Sequence, residues 1–204
     1  MKSLRAPSRR AVLACCALAL SGCAGLPPIA PATVVHSGRF SLQTRSGEHK
    51  DSATGRFSLA VRADSMTLNL ETPLGTTLAR IDSGADGATL RATGDDGHVR
   101  EVRGPDAEAL AESALGWTLP LSGLSDWIDG RPAPGRPARV SEDDGVTQIE
   151  QSGWTIRVLE RIDANDAASP PRRLNFERPE SDRAPGLTLR LVLDQPDGRD
   201  PARY

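Results

Sequence analysis

Arg56-Phe57-Ser58-Leu59-Ala60-Val61-Arg62-Ala63-Asp64-Ser65-Met66-Thr67-Leu68-Asn69-Leu70 carries two runs of period two. Phe57, Leu59 and Val61 alternate with Ser58, Ala60 and Arg62, and Met66, Leu68 and Leu70 alternate with Thr67 and Asn69. Successive side chains of a strand point to opposite faces, so this spacing predicts strands with one apolar and one wet face. Upstream, Phe40 and Leu42 alternate with Arg39, Ser41 and Gln43 in the same way. Gly47, Asp86-Gly87 and Asp96-Gly97 punctuate the pattern and carry it through Ala88 to Ala92 and His98 to Arg103. Turns of that chemistry between half-buried strands predict an antiparallel meander.

The period then changes. Pro105 suits a first helical position, and Ala107, Leu110, Ala111, Ala114 and Leu115 fall at i, i+3, i+4, i+7 and i+8 before Gly116. A second short helix is expected from about Ser122, with Leu121, Leu124, Trp127 and Ile128 on one side and Gly130 ending it. Arg131 to Pro137 is a proline-rich loop. Strands return at about Arg136 to Ser141, Thr147 to Gln151, Gly153 to Glu160, Arg172 to Glu177 and Gly186 to Asp194, and Asp163 to Pro171 reads as a disordered loop. The expectation is a mainly β fold, a curved antiparallel sheet interrupted by two or three short helices placed to cover its concave side. With only 3% aromatic residues, the inner face is chiefly branched aliphatic, which suits a solid core and acyl chains equally.

At the amino terminus, Lys2, Arg5, Arg9 and Arg10 precede an apolar run from Ala11 to Leu20 that is too short to span a bilayer. Leu20-Ser21-Gly22-Cys23 closes it with small residues directly before a cysteine, the pattern read by bacterial lipoprotein processing. Residues 1–22 are therefore expected to be a signal peptide, 23–36 a lipidated tether containing Pro27, Pro28 and Pro31, 37–195 the folded domain and 196–204 a disordered tail. Cys15 and Cys16 leave with the leader, so Cys23 has no disulfide partner and is expected to carry a diacylglycerol and an N-acyl chain. Each buried methylene contributes about 0.8 kcal/mol, so more than one chain anchors stably. Ala24 rather than aspartate after Cys23 points to the outer membrane, on its periplasmic face.

Without the leader's four basic residues, 21 Lys and Arg stand against 27 Asp and Glu, a formal charge of −6. That balance does not suit nucleic acid, and the sequence holds no Lys/Arg cluster interleaved with aromatics. His36, His49 and His98 lie apart in sequence, with no H-E-x-x-H, no G-x-S-x-G and no glycine-rich loop opening a helix. No catalytic residue, metal ligand or dissociable cofactor is assigned, and an enzyme is not expected.

Four further stretches carry a family resemblance. They are Pro73-Leu74-Gly75 between two strands, Leu119-Pro120-Leu121 with Leu124, Trp127 and Gly130, Ser152-Gly153-Trp154-Thr155-Ile156, and Leu189-Arg190-Leu191-Val192-Leu193-Asp194. In order and spacing, behind a lipobox, they resemble the outer-membrane lipoprotein receptor family LolB over Gly38 to Asp194. That resemblance implies an incomplete β-barrel with a helical lid enclosing an apolar cavity for the acyl chains of other lipoproteins. It implies a LolA-like periplasmic carrier as partner, delivery into outer-membrane lipid, and a monomer. It places the family's membrane-inserting leucine at Leu74, since Pro73 and Gly75 form a turn pair that projects one apolar side chain. Phe40, Phe57, Leu68, Leu70, Trp117, Trp127 and Trp154 are the cavity candidates. Asp82 to Asp86, Asp95-Asp96 and Glu142 to Asp144 are the acidic candidates for receiving the carrier. The family's N-terminal helix bearing a tryptophan has no counterpart ahead of His36. A different class fits the same residues: a non-catalytic assembly lipoprotein with a solid core that binds a protein partner.

Overall fold

The structure, a computed structural model, describes residues 34–94, 97–115, 118–182 and 184–195. The elements run β1 (Val34–Ser46), β2 (His49–Arg62), β3 (Ser65–Glu71), β4 (Thr77–Gly84), β5 (Gly87–Thr93), β6 (Val99–Gly104), α1 (Ala107–Leu115), α2 (Leu121–Trp127), β7 (Ala138–Asp143), β8 (Val146–Gln151), β9 (Trp154–Arg161), β10 (Pro171–Arg178) and β11 (Gly186–Leu193). All the strands join one antiparallel sheet in the order β6-β5-β4-β3-β2-β1-β11-β10-β9-β8-β7. Each strand neighbours the next in sequence, and β11 returns to pair with β1, Phe40 opposite Leu191 and Leu42 opposite Leu189. The one connection that does not pair its strands is β6 to β7, and the chain crosses that seam through the two helices. The sheet is therefore a barrel left open at one place, with the helices supplied where it is open.

Two glycines make the curvature possible. Gly38 faces Phe57 and Gly55 faces Phe40 across the β1–β2 pair. A Cβ on Gly38 would overlap the Val192 carbonyl oxygen, and one on Gly55 would overlap the Glu71 carbonyl oxygen and press on the Phe40 ring at 2.9 Å. Each phenylalanine lies over the neighbouring strand's glycine, where the bent sheet has no room for another side chain.

Period two then sorts the faces. Phe40, Leu42, Phe57, Leu59, Leu68, Leu70, Ile81 and Leu90 are buried from β1 to β5, and Ile149, Ile156, Val158, Leu174, Phe176, Leu189 and Leu191 from β8 to β11. The edge strands differ, for every residue of β7 and nearly every residue of β6 is exposed on both faces. The described residues from Val34 on form one compact unit that holds the whole buried core.

Several expectations are corrected. Val34 to His36, assigned to the tether, are the first residues of β1, paired with Val61 to Leu59. Pro105 does not open the first helix; Asp106 caps it, accepting the Glu108 N–H at 2.8 Å, because a carboxylate at this position satisfies a donor that the helix leaves free. Asp163 to Pro171 is not a disordered loop, since Ser169 is buried, its Oγ accepts the Asp163 N–H at 2.8 Å and its carbonyl accepts Arg161 Nη1 at 2.8 Å. The leader, Cys23 and the expected tail at 196–204 lie outside the described residues.

Candidate functional site

Thr72 to Thr76 closes the β3–β4 hairpin. The Thr72 carbonyl accepts the Gly75 N–H at 2.9 Å, and the Thr72 N–H donates to the Thr76 carbonyl at 2.8 Å. Thr72 Oγ1 also accepts the Thr76 N–H at 3.1 Å. Pro73 presets the first corner, and Gly75 takes φ +88° at the exit, a geometry of a turn followed by a left-handed residue. Leu74, held between them, is 96% exposed. Nothing in the turn lets that side chain fold back onto the sheet, so an isobutyl group stands in solvent beside a well-buried interior.

Across the seam, α1 lays Leu110 and Ala111, and α2 lays Leu121, Leu124 and Trp127, into the core of the sheet. Trp127 is the largest of the fully buried side chains; its indole rests where a Cβ on Gly123 would stand, one turn earlier on the same helix. Its Nε1–H donates to Gln151 Oε1 at 2.7 Å. That oxygen also accepts the Ala133 N–H at 2.8 Å, while Gln151 Nε2 donates to the Ala133 carbonyl at 2.9 Å and the Arg136 carbonyl at 3.0 Å. One buried amide, 3% exposed, thus uses all four of its hydrogen-bonding capacities to tie α2 and the proline-rich loop to β8. Beyond α2, His36 Nε2 on β1 stands 3.5 Å from Asp129 Oδ1. Burial pushes the His36 imidazole below its ordinary value, with the Asp129 carboxylate opposing and Arg131 adding to the shift.

Of the cavity candidates, Phe40, Phe57, Leu68, Leu70, Trp127 and Trp154 are all buried, and Trp117 lies outside the described residues. Leu110, Ala111, Leu121, Leu124 and Trp127 of the helices belong to the same buried cluster as these residues. Two depressions formed by described residues lie at the surface. One, of about 600 Å³, sits between the ends of β1, β2, β10 and β11 and is lined by Arg45, Lys50, Asp51, Arg178, Glu180 and Thr188 among others. The other, of about 370 Å³, includes Thr67, Asp82 and Asp86.

The acidic stretches fare unequally. Asp82 is bound by Arg80 at 2.9 Å and approached by Arg91 at 3.5 Å, and the hydrogen bond from Arg80 holds its carboxyl below the usual carboxylate range despite partial burial. The ladder continues from Arg91 to Glu101 and Arg103, so Asp82 offers a partner little free charge. Glu142 to Asp144 are exposed at the β7–β8 hairpin, and Asp95-Asp96 lie outside the described residues. Among the described residues no cluster of three His, Cys, Asp or Glu side chains is arranged for a metal ion, and no helix is long and apolar enough to cross a membrane.

Sequence reading passed over Gln151 and the His36–Asp129 contact. A signal for the first was present, since Ile149 and Gln151 share a face at period two and a polar residue in an inward register requires partners. For the second there was none, because Asp129 reaches β1 only through the fold.

Residues 35–195 match the family model described as outer membrane lipoprotein LolB. Among curated relatives, the outer-membrane lipoprotein LolB of Ralstonia nicotianae is 39% identical over 197 residues, covering 88% of this chain and 92% of that protein. Those of Thiobacillus denitrificans and Cupriavidus metallidurans are 37% and 35% identical, covering 91% and 92% of this chain and 96% of each relative. A solved structure of a LolA superfamily protein from Nitrosomonas europaea is 12% identical, with a TM-score of 0.39, covering 79% of this chain and 84% of that one. At that distance it carries no argument of its own.

Proposed function

Given that this chain belongs to the outer membrane lipoprotein LolB family, we propose that it is a lipid-anchored receptor on the periplasmic face of the outer membrane. It accepts lipoproteins from a LolA-like periplasmic carrier by their acyl chains and inserts them into the membrane. The family's names support the coarser part of this, an outer-membrane lipoprotein that acts in lipoprotein localisation. The finer part rests on Leu74. A hairpin that exposes a lone leucine almost completely, on a fold whose other long apolar side chains are largely inside, is built to meet something apolar.

Acyl chains set the physical demand. At about 0.8 kcal/mol for each methylene, a triacylated cysteine in water is worth tens of kcal/mol of unfavourable exposure. A receptor therefore has to enclose the chains, and here the enclosing face is already covered by α1 and α2. Uptake then requires the helices to lift from the sheet while the strands stay paired, with incoming chains replacing Leu110, Leu121, Leu124 and Trp127 against the same aliphatic wall. Directional transfer needs no nucleotide if each acceptor binds the chains more tightly than the donor before it. Cys23, with its acyl chains, keeps the receptor where delivery ends.

The test separates the two halves of the cycle. Leu74→Glu is expected to take up a photoreactive lipoprotein from the carrier as the parent does and to fail in releasing it into vesicles; normal release by this variant sinks the proposal. Burial of the helices' Leu110, Leu121, Leu124 and Trp127 in one cluster with the sheet favours one rival, a solid-core assembly lipoprotein. Photolabelling confined to the outer surface would establish that rival, and labelling of Leu59, Ile81 or Phe176 would exclude it.

A further inference from the structure

The cations of the outward sheet face are unevenly placed. Phe40 and Leu42 point inward on β1, so Arg39, Ser41, Gln43 and Arg45 point outward. The same alternation sends Lys50, Ser52, Thr54, Arg56 and Arg62 outward on β2, and Thr188, Arg190 and Val192 outward on β11. Arg39 faces Arg56 across the β1–β2 pair, Arg45 faces Lys50, and Arg190 stands beside Ser41. Six cations thus share the outward side of three neighbouring strands, and Asp194, 3.6 Å from Arg56, is the acid among them. Arg39, Arg45, Lys50, Arg62 and Arg190 make no ion pair among the described residues. At the margin Glu71 stands opposite Arg56, and Glu48 occupies the β1–β2 turn. Elsewhere the outward cations are matched: Arg80, Arg91 and Arg103 by Asp82 and Glu101, and Arg157, Arg172 and Arg173 by Glu177 and Glu160.

Unmatched charge is expected on an edge strand, where it blocks pairing with another chain. β1 is the middle strand of the eleven, hydrogen-bonded on both sides, so these cations guard no edge. Like charges at directly facing positions, as at Arg39–Arg56 and Arg45–Lys50, oppose the pairing of their strands. An anion outside the chain would offset that repulsion. From Arg39 to Arg45 the row runs about 20 Å along β1, a length that suits an extended anionic surface better than one small ion.

The ends of the row say which surface. The β1–β2 hairpin and the β3–β4 turn close at the same end of the sheet, so the row runs up to the end that carries Leu74. At the other end Val35 points outward, 43% exposed, and the chain leads from there toward Cys23. Cations flanked by exposed apolar side chains are the pattern of a surface that lies on anionic lipid. We propose that the outward face of β1, β2 and β11 rests on the anionic headgroups of a phospholipid bilayer, with Leu74 entering the bilayer at one end of it. The inference rests on the reading of Leu74 given above and deepens it. Because β1 is also the strand farthest from the seam between β6 and β7, this posture turns α1 and α2 away from the lipid, toward a carrier arriving from the periplasm.

The chain from residue 23 onward, carrying Cys23→Ser so that no acyl chain anchors it, is cosedimented with two kinds of vesicle: phosphatidylethanolamine mixed with phosphatidylglycerol, and phosphatidylcholine alone. It is expected to bind the anionic vesicles in preference, and less so as salt is added. Each cation at an anionic surface is worth about fivefold in affinity, so Arg39→Gln, Lys50→Gln and Arg190→Gln combined are expected to weaken that binding by at least about thirtyfold. All three positions are exposed, and an unchanged melting temperature verifies that the fold is kept. Arg131→Gln, Arg136→Gln and Arg139→Gln combined remove the same charge from the proline-rich loop and β7, and are expected to change binding by less than about threefold. Equal losses from the two triple variants would reduce the attraction to net charge and overturn the assigned face. No binding by the parent, equal binding to both kinds of vesicle, or indifference to the first triple variant would overturn the proposal. Loss of binding to the carrier in place of the vesicles would give the face to an acidic protein and overturn the lipid assignment. Uptake of a photoreactive lipoprotein is expected to be unchanged in both triple variants. Failure of uptake by the parent would sink the receptor reading and leave the vesicle result standing, so the two failures are distinguishable.

Discussion

Gln151→Leu tests how the helical cover is held. The substitution keeps the side chain's size and removes all four hydrogen bonds of the buried amide. The Arg136 carbonyl belongs to an exposed residue and regains water. The Trp127 indole N–H and both backbone groups of Ala133 are buried and do not. Each buried group left without a partner costs about 1–3 kcal/mol, and burying a leucine returns part of it, so the net loss is roughly 3–5 kcal/mol. For a domain of this size each kcal/mol shifts the melting temperature by about 2–4 °C, which puts the expected drop at roughly 10–15 °C. Because the amide joins α2 and the proline-rich loop to β8 but takes no part in the strand ladder, the first thing to loosen is the cover. Far-UV circular dichroism at 25 °C should therefore match the parent while binding of an apolar fluorescent dye rises. A melting temperature within about 2 °C of the parent would refute the count of orphaned groups. A large drop with no gain in dye binding would refute the idea that Gln151 fastens a separable cover.

Gly55→Ala should destabilise by at least about 2 kcal/mol in urea unfolding, since the added methyl meets the Glu71 carbonyl and the Phe40 ring with no free volume; a neutral result would mean that the bend in β2 is not fixed there. Asp82→Asn should lower stability at pH 7 by under about 1 kcal/mol, as its Arg80 and Arg91 partners are on a solvated face. Asp82's carboxyl titrates below its ordinary value, so its contribution is complete above that ordinary value and is lost as the pH falls through the folded one. The variant and parent should therefore converge in denaturation midpoint at strongly acid pH, and a constant difference at all pH values would contradict it. His36 is also shifted down, so the unfolded chain binds the proton first. Its contribution is full above the ordinary imidazole value of 6.5 and fades as the pH falls through the folded value. His36→Gln should flatten the stability profile just below neutrality, and an unchanged slope would assign that limb to other groups.

The sheet was readable because alternation is a local property. Phe57, Leu59, Leu68 and Leu70 face inward as their spacing requires, and Gly130 ends the second helical segment at φ +73°. The misread positions are those where a neighbour decides. Val34 to His36 look like linker until β2 supplies partners for them. Asp163 to Pro171 has the composition of a solvated loop, but Ser169 folds under it and fastens both ends. Val140 keeps the alternation of a buried strand yet is exposed, since β7 has a partner on one side only.

Leu74 was legible for a different reason. Pro73 and Gly75 fix the turn from within five residues, and a side chain at its tip has nowhere else to go. Gln151 and His36 carry no such local determinant; each acquires its meaning from a residue brought to it by the fold. The same distinction governs the interior. Period two reports which face a side chain is on and is silent on what covers that face, so a cavity wall and a packed core have one sequence pattern. What separates them is the energy of lifting α1 and α2, and that energy resides in a few identifiable ties: the Gln151 amide's bonds to the Trp127 indole and the proline-rich loop, and the burial of Leu110, Leu121 and Leu124 against the sheet. A receptor for acyl chains built on this sheet therefore differs from a solid lipoprotein in the strength of those ties relative to the chains it admits. The composition of its inner face is common to both.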